Sequence, residues 1–129
     1  MKPFLSGLNA QAYALMRLVV GFLFLWHGTQ KVLGFPPGMP AGVPAFITWG
    51  AGPIELIAGV LVMIGLFTRW AAFVASGQMA VAYWMAHGMK ALLPIQNEGE
   101  LAVVYCFVFL FIATHGGGIW SVDGARGSK

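Results

Sequence analysis

His27, Gln30 and Lys31 close the first of four apolar runs, at spacings that place them on one helical face, because residues three and four apart are neighbours there. Glu55 opens the second run, Tyr83 and His87 close the third, and Asn97 and Glu100 open the fourth. If successive runs are antiparallel helices, all of these groups meet at one end. A charged or polar group at membrane depth is expensive and marks a functional site by default. Carboxylates beside imidazole and ammonium groups suit proton handling at a ligand's head group. The candidate pocket is therefore His27, Gln30, Lys31, Glu55, Tyr83, His87, Asn97 and Glu100.

Each group also has a purely structural reading. Lys31 can snorkel to the headgroup layer. Glu55 follows Gly52-Pro53-Ile54, which suits a helix start with Pro at the first position and Glu at the third. Asn97 with Glu100 reads as a capping box, and both carboxylates gain from the positive end of a helix dipole. Gln78 projects nearly opposite Ser76 and is expected to hydrogen-bond a neighbouring helix. Gly52 and Gly59 flank Glu55 on a surface suited to close helix packing. Arg17 and Arg69 read as anchors at the opposite edge. Two isolated histidines are too weak a signal for a metal or haem, and none is expected. Neither a Ser-His-Asp nor a Cys-His arrangement is evident, and there is no glycine-rich phosphate loop.

The elements that would hold these residues are set by composition. The chain has 129 residues, 59% hydrophobic and 9% charged, with a mean hydropathy of +0.80. Soluble domains carry about 25% charged residues, so this chain lacks the polar surface of a water-soluble globule. The fold class expected is all-α, an integral membrane four-helix bundle forming one domain over 1–129. A spanning helix needs about 20 apolar residues, which predicts helices near 13–33, 52–67, 70–87 and 97–114. Prolines between 36 and 40 stop the first run, Thr68 and Arg69 form a tight turn, and Gly116 to Gly118 end the fourth. The tail from Ser121 onwards is expected to be polar and mobile. Cys106, the single cysteine, excludes an internal disulfide and a CxxC pair. The net charge of +3 is scattered rather than clustered, which argues against nucleic-acid binding.

Lys2, Arg17, Arg69, Arg126 and Lys129 fall on one side of this arrangement, and Lys31 and Lys90 on the other. The positive-inside rule then places both termini in the cytoplasm and the polar pocket outward. The halves resemble each other loosely, each with an Arg, a His-Gly, a Lys and a Glu-Leu in order, as a duplicated helix hairpin would.

The order of these residues resembles the DoxX family of small bacterial membrane proteins. The resemblance lies in Arg17-Leu-Val-Val-Gly-Phe-Leu-Phe-Leu-Trp-His-Gly-Thr-Gln-Lys31, Gly52-Pro-Ile-Glu55 with Ala58-Gly59, and Gly65-Leu-Phe-Thr-Arg69. It continues through Gly77-Gln-Met-Ala-Val-Ala-Tyr83, then His87, Pro94 and Asn97-Glu-Gly-Glu100, to Trp120-Ser-Val-Asp123. The resemblance implies a multi-pass protein of the bacterial inner membrane. The family is named for a subunit of a thiosulfate:quinone oxidoreductase, and other members are linked to oxidative-stress complexes. Family members often carry Glu where this chain has Gln78, and Asn97-Glu98-Gly99 replaces a commoner Asn-Gly-Gly. The related thiol-dependent quinone reductases need paired cysteines, which Cys106 alone does not supply.

The resemblance implies a quinone-linked redox component, or the membrane subunit of an oxidoreductase complex, with quinone as the cofactor. Two alternatives stay open: a non-enzymatic partner subunit, and a small transporter-like bundle, which would need a homo-oligomer for alternating access. Cysteine labelling in sealed vesicles should find residues 2 and 129 on the cytoplasmic face and the loops at 36–40 and 90–96 outside. External labelling of either terminus would reverse the arrangement.

Overall fold

A computed structural model of the chain describes residues 1–128, and these contain helices and no strand. Helix α1 runs Asn9–Val32, α2 Gly52–Ile64, α3 Thr68–Tyr83, α4 Pro94–Asn97, α5 Glu100–His115 and α6 Val122–Ala125. Wider, π-type turns at Ile47–Ala51 and Trp84–Gly88 extend α2 at its start and α3 at its end. Ser6–Val32 and Ile47–Ile64 are long and apolar enough to cross a membrane, whereas the apolar Glu100–His115 is shorter.

The core is built from all four longer helices. Phe24 of α1, Val62 of α2, Ala72 and Ala75 of α3, and Phe109 and Ile112 of α5 are completely buried. The outward faces are also apolar, with Leu18, Phe22, Ile57, Phe73, Val104 and Phe107 all exposed. Contiguous apolar surface of this kind mismatches water and suits hydrocarbon.

Helices α1 and α2 cross at unusually short range because glycines face each other's backbone. A Cβ on Gly59 would lie 2.7 Å from the Leu25 nitrogen, and one on Gly28 would overlap the backbone of Leu56. This close approach puts Lys31, less than one turn beyond Gly28, against Glu55, one turn before Gly59.

The sequence reading of the opposite end needs two corrections. Arg17 is not an edge anchor but a fully buried side chain. It donates at 2.9 Å to the Val62 and Met63 carbonyls, the last of α2, and to Trp120, with a longer 3.4 Å bond to Ile119. Terminal carbonyls of a helix lack internal partners and carry its negative dipole end, so a guanidinium satisfies both needs. Among the basic residues first counted towards topology, Arg17 is thus held internally and carries little weight.

Residues 121–128 are also ordered rather than a mobile tail, Lys129 lying outside the described residues. Asp123 is buried and accepts from the Thr68 amide (2.9 Å), the Thr68 hydroxyl (2.8 Å) and the Phe67 amide (3.0 Å), capping α3. Its own amide donates to the Gly65 carbonyl at 2.8 Å. Ser121 caps α6 by accepting from the Gly124 amide, and Arg126 lies over the Phe67 ring at 5.6 Å. The C-terminal segment is therefore a hook that grips the α2–α3 turn from outside.

Burial alone would raise the Asp123 carboxyl, but the hydrogen bonds from Thr68 and Phe67, helped by Arg126, hold it below the usual carboxylate value. A carboxylate with a depressed folded pKa adds stability above its unfolded pKa of about 3.9, and loses it as pH falls through the lower folded value. Asp123→Asn should lower stability at pH 7 by about 1–3 kcal/mol, the range for losing bonds to a charged group. The same substitution should flatten the acid limb of the stability profile, read by thermal unfolding in detergent at pH 3 to 7.

Candidate functional site

At the end away from the hook, the sequence candidates separate into two groups. Lys31 Nζ lies 2.8 Å from Glu55 Oε2, with side chains 12% and 4% exposed. Glu55 Oε1 accepts from Gln78 Nε2 at 2.8 Å, and Lys31 also reaches the His27 carbonyl at 3.4 Å. One carboxylate thus joins α1, α2 and α3. Charge-assisted bonds of this kind are the stronger ones, and in an apolar interior each removes a group that would otherwise be costly.

The contact with α3 fixes the Gln78 amide. Its nitrogen must face the acceptor-only carboxylate, so Oε1 points elsewhere, and this buried oxygen has no partner among the described residues. Two of the three Lys31 N–H groups have acceptors, and the third can donate further.

The capping role read for Glu55 gives way to this pairing. The chain is already helical from Ala45 onward, and the π-type turn feeds into α2 without a break. Glu55 therefore lies inside a longer helix, not at a free start, and its carboxylate turns to Lys31 and Gln78.

Tyr83, His87 and Asn97 form the second group, which organises the loop before α5. Buried Asn97 donates from Nδ2 to the Tyr83 hydroxyl (3.0 Å) and the Ala91 carbonyl (3.1 Å), and its Oδ1 accepts from the Gly99 amide (2.9 Å). His87 Nδ1 is 3.0 Å from the Asn97 carbonyl. A carbonyl only accepts, so Nδ1 carries a proton and donates it. Asn97 belongs to α4 and is not the cap of α5, where Gly99 precedes the first turn without a side-chain bond. The expected Asn97–Glu100 capping box is therefore absent, since Asn97 is occupied with its own loop.

A cavity of about 560 Å³ lies beside these groups. His27, Lys31, Glu55 and His87 line it, while Gln30, Tyr83, Asn97 and Glu100 do not. Gln30 is half-buried and Glu100 is exposed at the start of α5. Three polar lining residues lay outside the sequence-derived set: Gln78, Tyr105 and the exposed Glu98. A polar residue midway along an apolar run was the available signal for Gln78 and Tyr105. Tyr105 meets His27 edge to face, with ring centroids 5.9 Å apart, and stacks on Phe109. Met79, Ala82, Met85 and Ile54 supply much of the remaining apolar wall. The geometry provides one neutralised ion pair, an unfilled acceptor, an available donor and an apolar chamber.

The DoxX family profile matches residues 12–88, a span that holds Arg17, Lys31, Glu55 and Gln78. The chain belongs to the DoxX family and is a membrane protein of that family. An uncharacterized protein of Haemophilus influenzae is 40% identical over 116 residues, covering 85% of this chain and 87% of the relative. An uncharacterized membrane protein of Mycobacterium tuberculosis is 33% identical over 129 aligned positions, covering 84% and 77%. A Bacillus subtilis protein named "Putative oxidoreductase CatD" is 39% identical over 59 residues, covering 43% of this chain and 44% of that one. No solved structure matches.

Removing one partner of a buried ion pair leaves an uncompensated charge and costs about 3–5 kcal/mol, whereas replacing both is milder. Glu55→Leu should therefore lower the thermal stability of the purified protein more than the double substitution Lys31→Met with Glu55→Leu. Equal stability of the two variants would mean that Lys31 is solvated without its carboxylate.

Proposed function

We propose that this protein spans the bacterial inner membrane with four helices, both termini cytoplasmic, and binds the head group of a quinone-type amphiphile in the cavity beside Glu55. The observation that carries this reading is the juxtaposition of unfilled hydrogen-bond capacity with an apolar chamber. Small-molecule sites generally combine a mostly apolar lining with a few convergent polar groups. The cavity of about 560 Å³ has the volume of such a site.

The residues present fit the group. The third Lys31 N–H donates to a ring carbonyl, and Gln78 Oε1 accepts from a ring hydroxyl. Glu55 holds both side chains in place and balances the lysine charge. The Tyr105 ring, with His27 set edge to face against it, supplies an aromatic wall against which a ring packs. His87, held through Nδ1 by the Asn97 carbonyl, adds a second imidazole to the lining. A quinone would supply reversible two-electron, two-proton chemistry in this place. The name of the Bacillus relative and the family match support the redox part of the reading.

The test uses purified protein with a short-chain benzoquinone, followed by quenching of intrinsic tryptophan fluorescence. Binding in the micromolar range is expected for the native chain. Gln78→Leu should weaken it at least tenfold without unfolding the protein, corresponding to about 1.4 kcal/mol or more. If the native protein binds no quinone, and solvent extraction of gently purified protein releases none, the polar cluster serves helix packing and the partner-subunit reading takes over.

A further inference from the structure

The lining of the cavity beside Glu55 carries one charge that nothing balances. Lys31 and Glu55 pair with each other, and Gln78 ties Glu55 to α3. With the imidazoles of His27 and His87 and the Tyr105 phenol neutral, Glu98 supplies a negative charge in excess. Its carboxylate has no ion pair or hydrogen bond among the described residues. Lys90, a cation of the preceding loop, is exposed and not part of the lining. Glu98 is itself exposed, so it stands where the cavity meets the exterior. The connecting segments at this end also supply exposed apolar lining, with Met39 and Phe46 before α2 and Met85 in the turn after α3.

The position of Glu98 is held by its neighbours. Its backbone is left-handed (φ 61°) at the residue that ends α4, a place where glycine is usual. A residue with a side chain is strained in that conformation, and such strain collects at functional sites. Before it, buried Asn97 is fixed by its bonds to Tyr83, Ala91 and Gly99. After it, Gly99 packs so closely that a Cβ there would lie 2.6 Å from the Tyr83 ring. The Glu98 amide donates to the Pro94 carbonyl. The turn is therefore fixed on both sides, while the carboxylate at its tip bonds to nothing in the fold.

Lys31 gives an unpaired carboxylate something to oppose. Its spare N–H is a strong donor to any carboxylate or phosphate oxygen, and membranes supply anionic head groups in quantity. An apolar chamber does not tell one amphiphile's tail from another's, so discrimination by head group needs a repulsive element. We infer that Glu98 is a charge filter at the outer end of the cavity, turning away anionic amphiphiles and admitting uncharged or cationic ones. The inference rests on the reading above that the cavity receives an amphiphile, and not on the head being a quinone.

The experiment uses dodecyl-chain probes that carry a nitroxide in mid-chain and end in an ammonium, a methyl ester or a carboxylate. Each quenches the tryptophan fluorescence of purified protein on binding. Affinities for Glu98→Gln are divided by those for the native protein, probe by probe, so that partition into detergent cancels. The ester should bind both proteins equally. The ammonium should weaken and the carboxylate tighten, each by about threefold, as expected of an exposed charge pair, and high salt should erase both differences. Glu98→Gly, freed of the left-handed strain, should unfold at a higher temperature than the native protein and match Glu98→Gln in selectivity. Unchanged ammonium and carboxylate affinities in Glu98→Gln would overturn the filter. A lower unfolding temperature for Glu98→Gly would also overturn it, by giving the side chain a structural role. Failure of all the probes to bind the native protein would remove the amphiphile site and the filter together. No probe is a quinone, so a tightened carboxylate in Glu98→Gln supports the filter even where benzoquinone does not bind.

Discussion

Helix α1 carries two cations, Arg17 and Lys31, that are drawn inside an apolar fold about 21 Å apart along its axis at 1.5 Å per residue. Neither lipid nor an apolar core can solvate them, so each must find its partners within the protein. Both find them through α2, at opposite ends. Arg17 uses carbonyls in the last turn of α2, and Lys31 uses the Glu55 carboxylate near its first. Both arrangements depend on the backbone-to-backbone crossing that Gly28 and Gly59 permit. The α1–α2 pair is thus one unit, to which Ile119 and Trp120 add further Arg17 acceptors and Gln78 a second partner for Glu55.

The two ends then differ in how much polar capacity they leave over. At the hook end, Arg17 engages four carbonyls, with only Nε unpartnered, and Asp123 accepts three hydrogen bonds from the start of α3. These contacts close the structure and leave the groups committed. At the other end, Glu55 is shared between two helices, and Lys31 and Gln78 each retain a hydrogen-bonding position. The same end holds the cavity and the two π-type turns. Committed groups at one end and spare hydrogen-bonding positions at the other fit the binding role proposed above.

The family match adds a division along the chain. Residues 12–88 contain the whole Lys31–Glu55–Gln78 cluster. Tyr105, on the aromatic wall, and Asp123, on the hook, come from the segment beyond that match. The polar cluster thus lies within the stretch that the family profile matches, while Tyr105 and the hook come from the segment that follows.

The sequence by itself determined the all-helical class, the membrane character and the end at which polar groups collect. Apolar runs, prolines and glycines are local signals, and helical spacing alone placed His27 and Lys31 on one face. Long-range choices had no such signal. The Glu55 carboxylate fits a helix cap or an ion pair equally well in one dimension, and only the continuous helix before it and the crossing with α1 decided for the pair. Arg17 and Asp123 are isolated charges in the sequence, 45 or more positions from Val62 and Thr68 respectively. Their partners are mostly backbone groups, which every residue carries, so residue type could not point to them. Tertiary structure alone brought the hook to the α2–α3 turn and joined α2 to α3 through Glu55 and Gln78 at the other end.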